Sequence, residues 1–184
     1  VTIGYGRTDT TDGRVFPYVF PMITNYWSMT TDIVKFIATR EGGTDKLAGK
    51  KIGQVKIVAS GAGAAALACL NLLVSLGAKR ENIFVSDLEG VVYEGREKLM
   101  DRWKAVFAQK TDARTLAEVI VGADVFLGLS AGGVLKAEMV KQMAAKPLIL
   151  ALANPNPEIM PEDALAARPD AMICTGRSDF PNQV

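Results

Sequence analysis

The chain has 184 residues, 49% hydrophobic and 22% charged, with a formal net charge of +1 and no histidine. That length suits one compact domain with an extension, and the composition sets aside disorder for most of it. A charge so near zero, without a Lys/Arg run, offers nothing to a nucleic-acid backbone or an anionic membrane surface, and the absence of His removes the commonest general base and metal ligand.

The first 50 residues differ in character from the rest. Val1-Thr2-Ile3-Gly4 lacks the basic start and apolar core of a signal peptide, so a cytoplasmic location is expected, and no stretch reaches the roughly 18 apolar residues of a membrane helix. A Gly/Asp/Thr-rich opening runs from Gly4 to Gly13, followed by Phe16, Tyr18, Phe20 and Trp27. Thr30 to Arg40 reads as a helix with Ile33, Phe36 and Ile37 on one face, stopped by Glu41-Gly42-Gly43. Lys46 to Lys51 reads as a polar connection.

From Val55 the pattern becomes regular. Val55–Ser60 predicts a strand, Gly61-Ala62-Gly63 a turn, and Ala64–Leu76 a helix that is apolar nearly all round and therefore buried. Asn82–Asp87 is a second strand; Arg96–Phe107 and Thr115–Val121 read as helices. Ala123–Leu129 is a third strand, Lys136–Met143 a helix and Pro147–Leu152 a fourth strand. Pro161–Ala167 is a helix opened by proline, and Ala171–Thr175 a fifth strand. Alternation of helices with nearly continuous apolar strands implies an α/β, doubly wound parallel sheet covered on both faces. The sheet is expected to be incomplete at both ends, with residues 1–50 as an N-terminal extension and 51–184 as the domain proper. An open edge favours self-association. Cys69 and Cys174 sit in apolar runs and read as buried thiols acting as small hydrophobes, with a disulfide between them left open.

Three loops at strand ends carry the chemistry. Gly61-Ala62-Gly63-Ala64-Ala65-Ala66 fits G-x-G-x-x-G/A after a strand and before a helix, the Rossmann arrangement. The first glycine permits the tight turn, the second lets main chain approach a pyrophosphate, and helix N–H groups face the phosphates. Asp87 ends the second strand, where this fold places an acid on the adenosine ribose hydroxyls; its ordinary reading is a turn or cap residue, and the upstream glycines favour the ribose. An acid there leans to NAD, whereas Arg96 and Lys98 are close enough in sequence to offset it, which keeps NADP and NAD both open. Leu129-Ser130-Ala131-Gly132-Gly133-Val134 and Leu152-Ala153-Asn154-Pro155-Asn156-Pro157 follow the third and fourth strands. Asn154 can offer its amide to a carboxamide or ribose; Asn156 reads as part of a Pro-locked turn. Glu89, Glu94 and Glu97 read as a solvated face, and Asp101, Asp112 and Asp124 lie on separate elements, so neither set is taken as a metal site. Tyr5, Tyr18, Tyr26 and Trp27 are read as packing aromatics rather than a stacking platform.

Taken together, Gly61–Ala65, Ser86–Arg96, Gln109–Asp112, Ala123–Gly133, Leu152–Glu158 and Thr175–Gln183 resemble the cofactor domain of malic enzymes, especially the bacterial NADP type. A small departure is Ser60, where many members carry Asn. The family oxidatively decarboxylates L-malate to pyruvate and CO2 with a divalent metal, Mg or Mn. The resemblance implies cofactor contacts at Gly61, Ala62, Gly63, Ala64, Ala65, Asp87, Ser130, Ala131 and Asn154, with NADP favoured over NAD. The family's catalytic Tyr and Lys and its acidic metal motifs lie upstream of the cofactor glycines, and nothing in residues 1–50 matches them. No catalytic or metal residue is therefore carried over, and cofactor binding without malate turnover is expected of this chain, read as a piece of a longer protein. Gly4–Asp9, Asp12–Tyr18 and Asn25–Ser28 are instead similar to periplasmic amino-acid-binding proteins of ABC transporters. The alternative that follows is a fragment of such a protein, and the whole reads as a mosaic switching near Gly49-Lys50-Lys51-Ile52.

Overall fold

The computed structural model describes residues 46–47 and 50–180. The predicted 30–40 helix and the early aromatics lie outside the described residues. Lys46–Leu47 (β1) and Lys50–Lys51 (β2) pair antiparallel as a short ribbon, where the sequence suggested only a connection. Then follow β3 (Ile57–Ser60), α1 (Ala64–Ser75), β4 (Ile83–Asp87), β5 (Gly90–Val91), α2 (Arg102–Ala105), α3 (Leu116–Val119), β6 (Val125–Gly128), α4 (Ala137–Lys141), β7 (Leu148–Ala151), α5 (Pro161–Ala167) and β8 (Met172–Thr175).

Strands β3 to β8 form one six-stranded sheet in the order β5-β4-β3-β6-β7-β8. All pairings are parallel except that of the short β5 with β4. The chain runs outward from β3 to β5, then crosses back to lay β6 on the other side of β3. Strand order thus reverses between β3 and β6, and such a fold binds its ligands in the crevice beyond the carboxyl ends at that point.

Side chains alternate across the sheet, and both sets are apolar. Ile57, Ala59, Val125, Leu127, Leu148 and Leu150 face a layer containing Leu70 and Leu73 of α1 and Phe107. Val58, Phe126 and Ile149 face the opposite layer, with Val119 of α3, Val140 of α4 and Ala164 of α5. Phe126 and Ile149 are fully buried; each such side chain contributes roughly 1.5–3 kcal/mol relative to exposure. Near their carboxyl ends the strands pair in register on small residues, Ser86, Ser60, Gly128, Ala151 and Thr175 in spatial order, with β4 running one residue further to Asp87. That row leaves room above the sheet for loops and ligand.

Two predicted helices differ. α1 keeps an exposed stripe of Ala64, Ala65, Ala68, Asn71 and Ser75, so it is buried on one side only; small side chains read as apolar in sequence but tolerate water at little cost. The predicted helix from Arg96 to Phe107 is reduced to Arg102–Ala105. Gly95 (φ 86°) and Leu99 (φ 51°) take left-handed conformations that no helix accepts. Asp101 then starts α2 afresh, its carboxylate accepting from the amides of Trp103 at 2.7 Å and Lys104 at 2.9 Å.

At α3, Thr115 and Glu118 form a reciprocal capping box: Glu118 N–H donates to Thr115 Oγ1 at 3.3 Å and Thr115 N–H to Glu118 Oε2 at 2.7 Å. Thr115→Ala is expected to destabilise the domain by about 1 kcal/mol, read as a lower midpoint with unchanged slope in urea unfolding.

No disulfide joins Cys69 and Cys174, and burial pushes the Cys174 thiol up to about 12. Among the described residues no helix is long and apolar enough to cross a membrane.

Candidate cofactor site

The turn after β3 and the loop after β6 touch closely, main chain against main chain at Gly61 and Leu129. Gly61 has φ +106°, its N–H donates to Ser86 O at 2.8 Å, and a Cβ there would lie 2.4 Å from Leu129 O. Leu129 N–H donates to Ser60 O at 2.8 Å, and the hydroxyls of Ser60 and Ser130 are hydrogen-bonded at 2.8 Å.

Gly63 is the N-cap of α1, in an extended conformation (φ −81°, ψ −178°) open to any residue, and a Cβ built on it meets nothing within 4 Å. It is exposed, as are Ala64 and Ala65, and no side chain caps the helix. Ala62 is buried behind them. The helix therefore opens on bare amides facing free space, the arrangement that holds an anion. A dinucleotide diphosphate fits this cradle, because the volume a side chain at Gly63 would fill is clear.

Asp87, at the end of β4, is enclosed by cations. Arg96 donates to both its oxygens, Nη1 to Oδ1 at 2.9 Å and Nη2 to Oδ2 at 2.6 Å, while Lys104 Nζ reaches Oδ2 at 2.7 Å and Glu89 N–H reaches Oδ1 at 2.9 Å. These four contacts occupy a carboxylate's acceptor sites. Burial pushes the Asp87 carboxyl up, but hydrogen bonds from Arg96 and Lys104 outweigh it and hold it at about 2. All three side chains are largely withdrawn from water, at 3% for Arg96, 10% for Lys104 and 11% for Asp87. One carboxylate thus faces two cations, leaving the cluster positive.

Ser130 and Ala131 lie exposed on the loop after β6, and Asn154 on the loop after β7. The Asn154–Pro155 peptide is cis. Asn156 packs on Gly132, where a Cβ would sit 2.7 Å from its own Cβ, which agrees with a purely structural turn. Beneath both loops lies Glu158, fully buried.

A family model described as "Malic enzyme, NAD binding domain" matches residues 32–183. The chain belongs to that family. It is 76% identical over 139 residues to an NAD-dependent malic enzyme of Rhizobium meliloti, an alignment covering 76% of this chain and 18% of the relative. It is 62% identical over 140 residues to an NADP-dependent malic enzyme of Haemophilus influenzae, covering 76% of this chain and 18% of that one. The crystal structure of an NAD-dependent malic enzyme from Thermotoga maritima superposes with a TM-score of 0.73 at 35% identity, covering 86% of this chain and 41% of that chain. The chain thus spans about a fifth of the length of the curated relatives named here.

For a malic enzyme domain, the sequence-derived candidates are well gathered. Gly61, Ala62, Gly63, Ala64, Ala65, Asp87, Ser130, Ala131 and Asn154 all lie at the carboxyl edge of the sheet. Lys98 does not act as anticipated: it is exposed and donates to Glu89 Oε2 at 2.9 Å. Lys104 fills that place instead. A continuous helix would hold residues 96 and 104 about 12 Å apart along its axis, too far to share one carboxylate; the break at Leu99 brings them together. Lys104 could have been suspected as a lone cation in the apolar run Trp103 to Phe107, and Glu158 as a lone acid between Pro157 and Ile159.

Two of the other aspartates serve structure: Asp101 caps α2, and Asp124, at the opposite edge of the sheet, accepts from Lys50 Nζ and from Lys56 N–H at 2.8 Å. Among the described residues no group of three His, Cys, Asp or Glu side chains could hold a metal ion. The family's divalent metal therefore finds no fit in these residues.

Proposed function

We propose that this domain holds NADP or NAD across the β3/β6 crevice. The diphosphate lies on the open amides of α1, the adenosine ribose beside the Asp87 cluster, and the nicotinamide toward Ser130, Ala131 and Asn154. The observation that carries this reading is the uncapped first turn of α1, opening on clear space beyond Gly63. A bound nicotinamide would supply the acceptor for the hydride of L-malate in a complete enzyme; the described residues would bind and orient it, with catalytic and metal groups supplied from elsewhere.

The chain is expected to bind dinucleotide and to leave malate unchanged. Calorimetric titration with NADP, NAD and ADP-ribose tests this, and no heat with any of them removes the reading. We also take the domain to be cytoplasmic and self-associating, with no nucleic-acid or membrane partner, and residues 1–50 to be of separate origin from 51–184. The family model's match begins at residue 32, inside that first segment. The periplasmic binding-protein alternative rests on sequence signatures before residue 29, outside the described residues.

The net positive charge of the Asp87 cluster favours a ribose 2′-phosphate. A ribose hydroxyl, by contrast, reaches the Asp87 carboxylate only by displacing a present donor. Lys104→Ala is therefore expected to weaken NADP relative to NAD on the order of tenfold, the worth of one charged hydrogen bond. The ratio of the two dissociation constants is the measurement, since it cancels any loss of stability. An unchanged ratio would place the phosphate away from Lys104.

A further inference from the structure

Glu158 is a fully buried acid with no cation within ion-pair distance among the described residues. Its carboxylate is instead held by main chain from two separate loops. Ser130 N–H donates to Oε1 at 2.9 Å, with the Ser130 hydroxyl at 3.4 Å, and Ala153 N–H donates to Oε2 at 2.9 Å. The main chain around it holds the first loop as well: Leu135 N–H donates to Glu158 O, and Gly133 N–H to Pro157 O, both at 3.0 Å. Space for the acid comes from Gly128 at the centre of the small-residue row, where a Cβ would lie 2.4 Å from the carboxyl carbon.

Burying a carboxylate without a counter-ion is costly, and an apolar side chain of similar volume would fill the space more cheaply. What the carboxylate does that no apolar group could is accept two amides at once, one from each loop. Those amides stand directly beside Ala131 and Asn154.

We propose that Glu158 is a positioning residue for the nicotinamide half of the cofactor, locking the loops after β6 and β7 at one fixed separation before the cofactor arrives. This rests on the proposed cofactor reading. Because Gly63 and the Asp87 cluster lie outside the clamp, its effect is expected chiefly at the nicotinamide end. Glu158→Gln keeps the shape but replaces one acceptor oxygen by an NH2 donor, so one loop amide loses its partner. The loop so freed must then be ordered on binding.

The test compares whole chains, wild type and Glu158→Gln, by titration with the dinucleotide that the wild type binds and with the matching ADP-ribose, which lacks nicotinamide. The expected result is about tenfold weaker dinucleotide binding with ADP-ribose affinity changed less than about twofold. Glu158→Asp, too short to span both loops, should behave as Glu158→Gln does. Gly128→Ala, which drives a methyl group into the carboxylate, should reproduce the same split if it folds. Equal loss on both ligands, or no loss on either, overturns the proposal. A wild type that binds neither ligand removes the cofactor reading itself, a result distinct from both.

Discussion

Gly63→Val is expected to leave the chain folded and to abolish dinucleotide binding. The backbone at Gly63 is extended, and a Cβ there meets no protein atom within 4 Å, so the branch point of the valine clashes with nothing in the free domain. It does fill the volume through which a diphosphate reaches the first amides of α1. A loss of binding of at least about 100-fold is expected, because the close main-chain approach that secures the phosphates is no longer available. Gly61→Ala is the counterpart with the opposite signature. Gly61 sits at φ +106°, and its Cβ would be 2.4 Å from Leu129 O, so the change should destabilise the fold itself by about 3 kcal/mol or more. Thermal melts with and without cofactor separate the two: Gly63→Val keeps the melting temperature and loses the ligand-induced rise, whereas Gly61→Ala lowers the melting temperature outright. A Gly63→Val chain that retained both would put the phosphate site elsewhere.

Asp87→Ala is expected to be among the most damaging substitutions outside the hydrophobic layers. It leaves Arg96 and Lys104 buried against each other without a counter-charge, a change that typically costs about 3–5 kcal/mol. For a domain of this size the melting temperature should fall by roughly 10 °C. A fall below about 3 °C would mean that the cluster is solvated in solution. The same cluster sets an acid limit. The Asp87 carboxyl is held at about 2 when folded, below its unfolded value near 3.9, so its stabilisation is complete above about pH 4. It is lost as the pH falls toward about 2, where the folded state also takes up the proton. Urea unfolding across that interval should show a drop in stability that Asp87→Ala abolishes.

The strands and the glycine turn were legible because their signals are local. Apolar runs of four to six residues ending on small side chains specify buried parallel strands, and Gly61 and Gly63 are dictated by the turn they make. The five principal strands fall inside the predicted spans, each shorter by one or two residues at an end. What the sequence hid depends on contacts between distant segments. The Arg96–Phe107 stretch has helical composition throughout, yet Leu99 adopts φ 51° and its carbonyl accepts from Lys104 Nζ at 2.6 Å. A tertiary contact overrides propensity there, and with it came the unforeseen cation on Asp87. Glu158 escaped notice for a related reason. Its partners, Ser130 and Ala153, are main-chain amides, which carry no residue-type signature.

The contact between Gly61 and Leu129 also limits how this domain can change. At Gly61 and Leu129 the two walls of the crevice meet backbone to backbone, so at that point no side chain can be shortened or lengthened to move them apart. Their spacing is thus a constant of the architecture. Any shift in cofactor choice has to be made at the rim, by exchanging charges such as Lys104, while the gap itself stays as it is.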